Sequence, residues 1–112
     1  MARVDFASGP TQITNAAATL LAGSTTLDTV ILEIIIVNTS TSSVTLRLSK
    51  ATSTTVSAAT ALVYDLPIPP NSTLIIRGPI IIPDAGTAVN INGLAGTTNV
   101  LTWSASGFTE ST

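Results

Sequence analysis

The chain has 112 residues, room for one domain and one core. Only 9% of them are charged, against roughly 25% in ordinary soluble domains, and polarity is supplied instead by 20 Thr and 12 Ser. Four basic residues, no His and no Cys exclude phosphate-driven nucleic-acid binding, electrostatic docking on anionic membranes, disulfides, thiolate chemistry and the commonest metal sites. No cofactor is expected, and without a histidine base an enzyme is not expected either.

In chain order, residues 1–28 read as an N-terminal arm carrying a first strand. Met1 to Phe6 holds no apolar run of the secretory kind. Asn15 to Ala22 contains four Ala and two Leu but stops at Gly23, and reads as a bent strand with a short helix as the alternative. Thr29 to Val37 is apolar on both faces apart from Glu33. It suits a central strand covered on both sides, or one whose outer face meets another subunit, and it is far short of the ~20 residues that span a bilayer. Asn38 to Ser42 is a hairpin loop leading into Val44-Thr45-Leu46-Arg47-Leu48, whose strict alternation marks a half-buried strand.

Ser49 to Thr60 has no apolar pattern and reads as a loop. In Leu62-Val63-Tyr64-Asp65-Leu66, Tyr64 lies opposite in register to Val63 and is a candidate half-exposed contact residue. Pro67 to Ser72 is a stiff connection, and Arg77-Gly78-Pro79 divides Leu74-Ile75-Ile76 from Ile80-Ile81-Ile82. Proline cannot donate to a ladder, so that segment is broken or lies at an edge or bulge. Pro83 to Gly86 is a turn, Val89 and Ile91 point inward, and Gly93 to Asn99 links the last two strands. Leu101, Trp103 and Ala105 share the inward register, making Trp103 a core residue. The tally is an all-β chain, a single antiparallel β-sandwich of about 7–8 strands over residues 29–108, of immunoglobulin-like or jelly-roll type, followed by a C-terminal tail at 109–112.

No chemical motif stands out. Asp5, Asp28, Glu33, Asp65, Asp84 and Glu110 are scattered singly with no metal-loop spacing. Two N-x-[ST] sequons, at Asn38 and Asn71, read as turn chemistry. What remains is surface: long strands rich in Val and Ile without lysine guards invite pairing with other chains, and monomers rarely expose large apolar patches. Val30, Leu32, Ile34 and Ile36, Tyr64, and Leu74, Ile76, Ile80 and Ile82 are therefore the candidate interface residues.

Taken in order, Ile34 to Ser40, Val44 to Leu48, Ala61 to Leu74 with its Tyr-Asp and proline-rich turn, Gly78-Pro79 and Ala85-Gly86 resemble the small β-sandwich virion proteins of tailed bacteriophages. Thr87 stands where that group often carries Asp. The resemblance runs over roughly Val30 to Ser106 and implies a structural virion protein, made in the host cytoplasm. A capsid decoration (cement) protein is the first expectation, binding itself, with a trimer as first guess, and a major capsid or tail protein. The alternative is a carbohydrate-binding or receptor-binding module of a tail or head fibre, using Tyr64 on a host glycan.

Overall fold

Thr-, Val- and Ile-rich segments carry β-branched side chains that are stiff in helices and fit a pleated surface, and they form strands here. In the computed structural model, which describes residues 3–84 and 87–111, these are β1 (Arg3–Ile13), β2 (Ala18–Leu21), β3 (Asp28–Asn38), β4 (Val44–Ala51), β5 (Ala61–Ile68), β6 (Thr73–Ile82), β7 (Asn90–Ala95) and β8 (Leu101–Glu110). A single 3₁₀ turn, Ala58–Thr60, precedes β5.

The chain folds back on itself about the β4–β5 connection. β4 pairs with β5, β3 with β6, β2 with β7 and β1 with β8, all antiparallel. Two further pairings, β3 with β8 and β4 with β7, close this ribbon into a first sheet ordered β1-β8-β3-β6 and a second ordered β2-β7-β4-β5. That double sheet is the jelly roll, which decides between the two sandwich types the alternation allowed.

Three expected boundaries shift. Within the segment expected as an arm with a first strand, Arg3–Ile13 and Ala18–Leu21 form two strands of the sandwich. β1 is the edge of the first sheet along eleven residues, and β2 is the edge of the second. β1 is largely exposed, with Phe6 and Ile13 turned to the core, so its pattern is too polar to announce a strand; β8 pairs with one side of its backbone. The 49–60 loop begins only after Ala51, because Ser49, Lys50 and Ala51 still pair with β7. The tail is also shorter than expected, since β8 runs to Glu110 opposite Asp28. Asp84 is described, whereas the Ala85-Gly86 turn lies outside the described residues.

The core lies between the sheets. Ile31, Ile34, Ile36, Ile82, Leu101 and Trp103 from the first sheet meet Leu46, Leu48, Ile68, Ile91 and Ala95 from the second. Asn38, at the end of β3, is fully buried. Its amide donates to the carbonyls of Ser42, Ile68 and Pro69, and its oxygen accepts from the Ser40 N–H and hydroxyl. One side chain thus fastens the β3–β4 loop to the end of β5, which is why a buried amide is tolerated there. The Asn38 sequon is turn chemistry in this sense.

One irregularity sets which side chains face out. Against β8, Ile31 pairs with Gly107 and Glu33 with Ser106, so Leu32 is an extra residue; against β6 the same Leu32 lies opposite Gly78 and Pro79. Glycines flank this bulge because nothing else fits: a Cβ on Gly107 would strike the Val30 carbonyl, and one on Gly78 the Ile31 carbonyl. Before the bulge Thr29 and Ile31 point inward; after it Ile34, Ile36 and Asn38 do. Strict alternation from Ile31 would have sent Glu33 into the core, and the inserted residue prevents that.

Candidate interaction surface

The outer face of the first sheet follows from this register. Residues directly opposite one another share a face, so Val30, Glu33, Ile35 and Val37 of β3 stand beside Ile81, Arg77, Ile75 and Thr73 of β6 and beside Phe108, Ser106, Ser104 and Thr102 of β8. Leu32, Ile75 and Ile81 are 45%, 47% and 53% exposed. Small residues of β1 and β8 leave a shallow hollow of about 170 Å³ in this face, lined by Ala7, Glu33, Ile35, Ser104, Ala105 and Ser106.

Two charges sit among these aliphatics. Glu33 and Arg77 are register partners, yet no ion pair joins them. Arg3 stacks on Phe108, 3.8 Å from the ring centroid, and bonds Asp5; Arg47 is bonded to Asp65; Lys50 donates to the Ile81 carbonyl. Among the described residues Arg77 is the one basic side chain with no hydrogen bond, ion pair or ring partner.

The outer face of the second sheet is arranged differently. A bulge in β5 sets Tyr64 and Asp65 together opposite Arg47, with Asp65 at a φ of 52°. The Arg47 guanidinium binds Asp65 with both arms, 2.6 Å and 3.2 Å, and lies 4.3 Å above the Tyr64 ring. That bond holds the Asp65 carboxyl below the ordinary carboxylate range and raises the Arg47 guanidinium. Beyond it, the 52–57 segment is tied down over β4 and β7, with the Ser49 hydroxyl donating to the Thr55 carbonyl and the Asn92 amide to the Ser53 carbonyl.

Of the candidate interface residues, Val30, Leu32 and Tyr64 reach the surface. Ile34, Ile36 and Ile82 are fully buried and cannot meet a partner, and Leu74, Ile76 and Ile80 pack from their strand against the core. The reason is the bulge at Leu32: alternation counted from Val30 changes phase there, so Ile35 and Val37 take the outer positions. In β6, Ile75 opposite Ile35 and Ile81 opposite Val30 follow the same register. Ile35, Ile75 and Ile81 were missed because an all-apolar strand carries no face signal; the charged pair Glu33 and Arg77 was the one available marker of the outer side.

The carboxylates are mostly apart in the fold, but Asp28 and Glu110 are register partners on β3 and β8. The Asp28 carboxylate accepts the Asp84 N–H at 2.8 Å, holding the start of the β6–β7 connection. Among the described residues no three His, Cys, Asp or Glu groups converge as a metal site, and the hollow lies elsewhere on the sheet. Trp103 is fully buried, as expected for a core residue, and its indole N–H has no hydrogen-bond partner.

No protein-family model and no curated protein matches the sequence. Among solved structures the chain is similar to one from the T13 viral particle of infectious bursal disease virus, with a TM-score of 0.58 at 9% identity, covering 97% of this chain and 31% of that one. A chain of the Gx strain of the same virus gives 0.53 at 13% identity over 97% and 30%, and that of the VP2 subviral particle gives 0.50 at 15% over 96% and 32%. At such identities the likeness is one of fold, and the chain spans about a third of the length of each of these viral proteins.

Proposed function

We propose that this chain is a non-enzymatic structural component of a virion, a capsid decoration (cement) protein of a tailed bacteriophage that associates with itself and with a major capsid or tail protein. The observation that carries this is the outer face of the first sheet, where Leu32, Ile75 and Ile81 stand about half exposed beside Val30, Ile35 and Val37. A patch of that kind is tolerated when other protein covers it. The jelly-roll topology supports the same reading, because it is shared with chains that build a viral particle, although a fold alone does not fix a function. A three-fold cap, the first guess that the resemblance to decoration proteins implies, would need two different surfaces that meet head to tail.

Light scattering on the purified chain, followed by co-sedimentation with phage particles lacking it, tests the proposal. Self-association and saturable particle binding are expected; a stable monomer with no affinity for particles overturns it. A second reading, a glycan-binding module of a fibre, is favoured by one observation: Tyr64 is 45% exposed between Arg47 and Asp65. Glycan-array binding that is lost in Tyr64→Ala would establish it in place of the first.

A further inference from the structure

We infer that the outer face of the first sheet docks against the same face of a second copy of this chain, across a two-fold axis running parallel to the strands between β3 and β6. The inference rests on the self-associating reading above and names its surface and partner. Its basis is charge and register. Glu33 and Arg77 stand side by side at one height on neighbouring strands, and neither has an ion-pair partner among the described residues. Rotation about an axis between the two strands lays β3 of one copy over β6 of the other without changing height along the strand. Each Glu33 then meets the Arg77 of the other copy, making two reciprocal ion pairs.

The same rotation lays Ile35 over the other copy's Ile75 and Val30 over its Ile81, because these too are register partners. A two-fold axis perpendicular to the strands would superpose like charges instead and is disfavoured. At ~3.3 Å per residue and ~4.8 Å per strand the overlap of β3 and β6 is roughly 33 by 10 Å, about 330 Å² on each copy, which is below the area of stable specific interfaces and makes this a weak contact. The pair therefore forms at high protein concentration, the condition that a particle surface carrying many copies provides.

Sedimentation velocity on Glu33→Arg, on Arg77→Glu and on their mixture, each at concentrations approaching millimolar, tests this directly. Either variant alone carries two like charges at the contact, and its self-affinity falls by at least about tenfold. Mixed, the two variants pair with one another. Circular dichroism checks that both are folded; should either misfold, Glu33→Gln with Arg77→Gln replaces them, expected to lose salt sensitivity of pairing. A wild-type chain that pairs with an affinity unmoved by these substitutions overturns this surface while leaving self-association standing. A wild-type chain that stays monomeric at these concentrations overturns both.

Discussion

The two sheets present opposite outer faces, and the difference lies in what each face leaves unfinished. On the second sheet, charge is spent inside the chain: Arg47 is chelated by Asp65 and stacked on Tyr64, and the 52–57 segment is bonded down over β4 and β7. On the first, the mid-sheet charges Glu33 and Arg77 have no ion-pair partner among the described residues and stand among exposed aliphatics. A face whose polar groups are mutually satisfied is content in water; one with apolar side chains and unpaired charges has something to gain from a partner.

The sheets also differ in how they tolerate substitution, and the largest predicted effect exploits this. Gly107→Ala drives a methyl into the Val30 carbonyl at the bulge, where backbone on both sides is locked in ladders, and should cost about 3 kcal/mol. In the second sheet, Gly93→Ala meets the end of the Leu20 side chain at 2.5 Å, which can rotate away, so the loss should stay under about 1 kcal/mol. Urea denaturation of the two variants compares them; equal losses would mean the bulge is not the rigid point of the first sheet.

Next in size is Asn38→Ala. It strips hydrogen bonds from the buried Ile68 carbonyl and from the 40–42 loop, for about 2 kcal/mol, read from the same curves. A smaller stability effect with a larger associative one is expected for Ile75→Thr. This exposed outer position keeps a β-branched residue, so folding should change by less than about 0.5 kcal/mol while self-association weakens in light scattering. Val63→Thr on the second sheet, where the side chain packs on the core, should do the reverse.

The smallest effect concerns the Arg47 and Asp65 pair. Because the folded Asp65 carboxyl is depressed by its bond to Arg47, the pair contributes at pH above the ordinary carboxylate value. That contribution is lost as pH falls through the lower, folded value. Because both side chains are partly exposed to solvent, the pair is screened and Arg47→Ala should move the melting temperature only slightly. NMR titration should nevertheless show the Asp65 carboxyl returning to the ordinary range in that variant, and no such return would mean the bidentate bond does not form in solution.

Much of the secondary structure was legible because strand chemistry is local. Val44 to Leu48 alternates and forms the core-facing rows of β4; Leu101, Trp103 and Ala105 alternate and are buried; Arg77-Gly78-Pro79 left a broken segment, an edge or a bulge open, and β6 is one continuous edge strand with a register shift there. The outer face of the first sheet was only half legible. In Val30 to Val37 both faces are apolar, so period two gives no phase, and the bulge at Leu32 reverses whatever phase is assumed. β1 was missed as a strand because an edge strand exposed on most positions has no apolar row to display.

By itself, then, the amino-acid order determined an all-β sandwich with a tryptophan in its core, since β-branching and alternation act over a few residues. Tertiary structure alone decided the jelly-roll order, the place of residues 3–21 as two edge strands, and the outward set Val30, Leu32, Ile35, Ile75 and Ile81. The physical reason is that pairing partners such as β1 and β8 lie nearly a chain length apart, and a one-residue bulge exchanges the faces of everything beyond it.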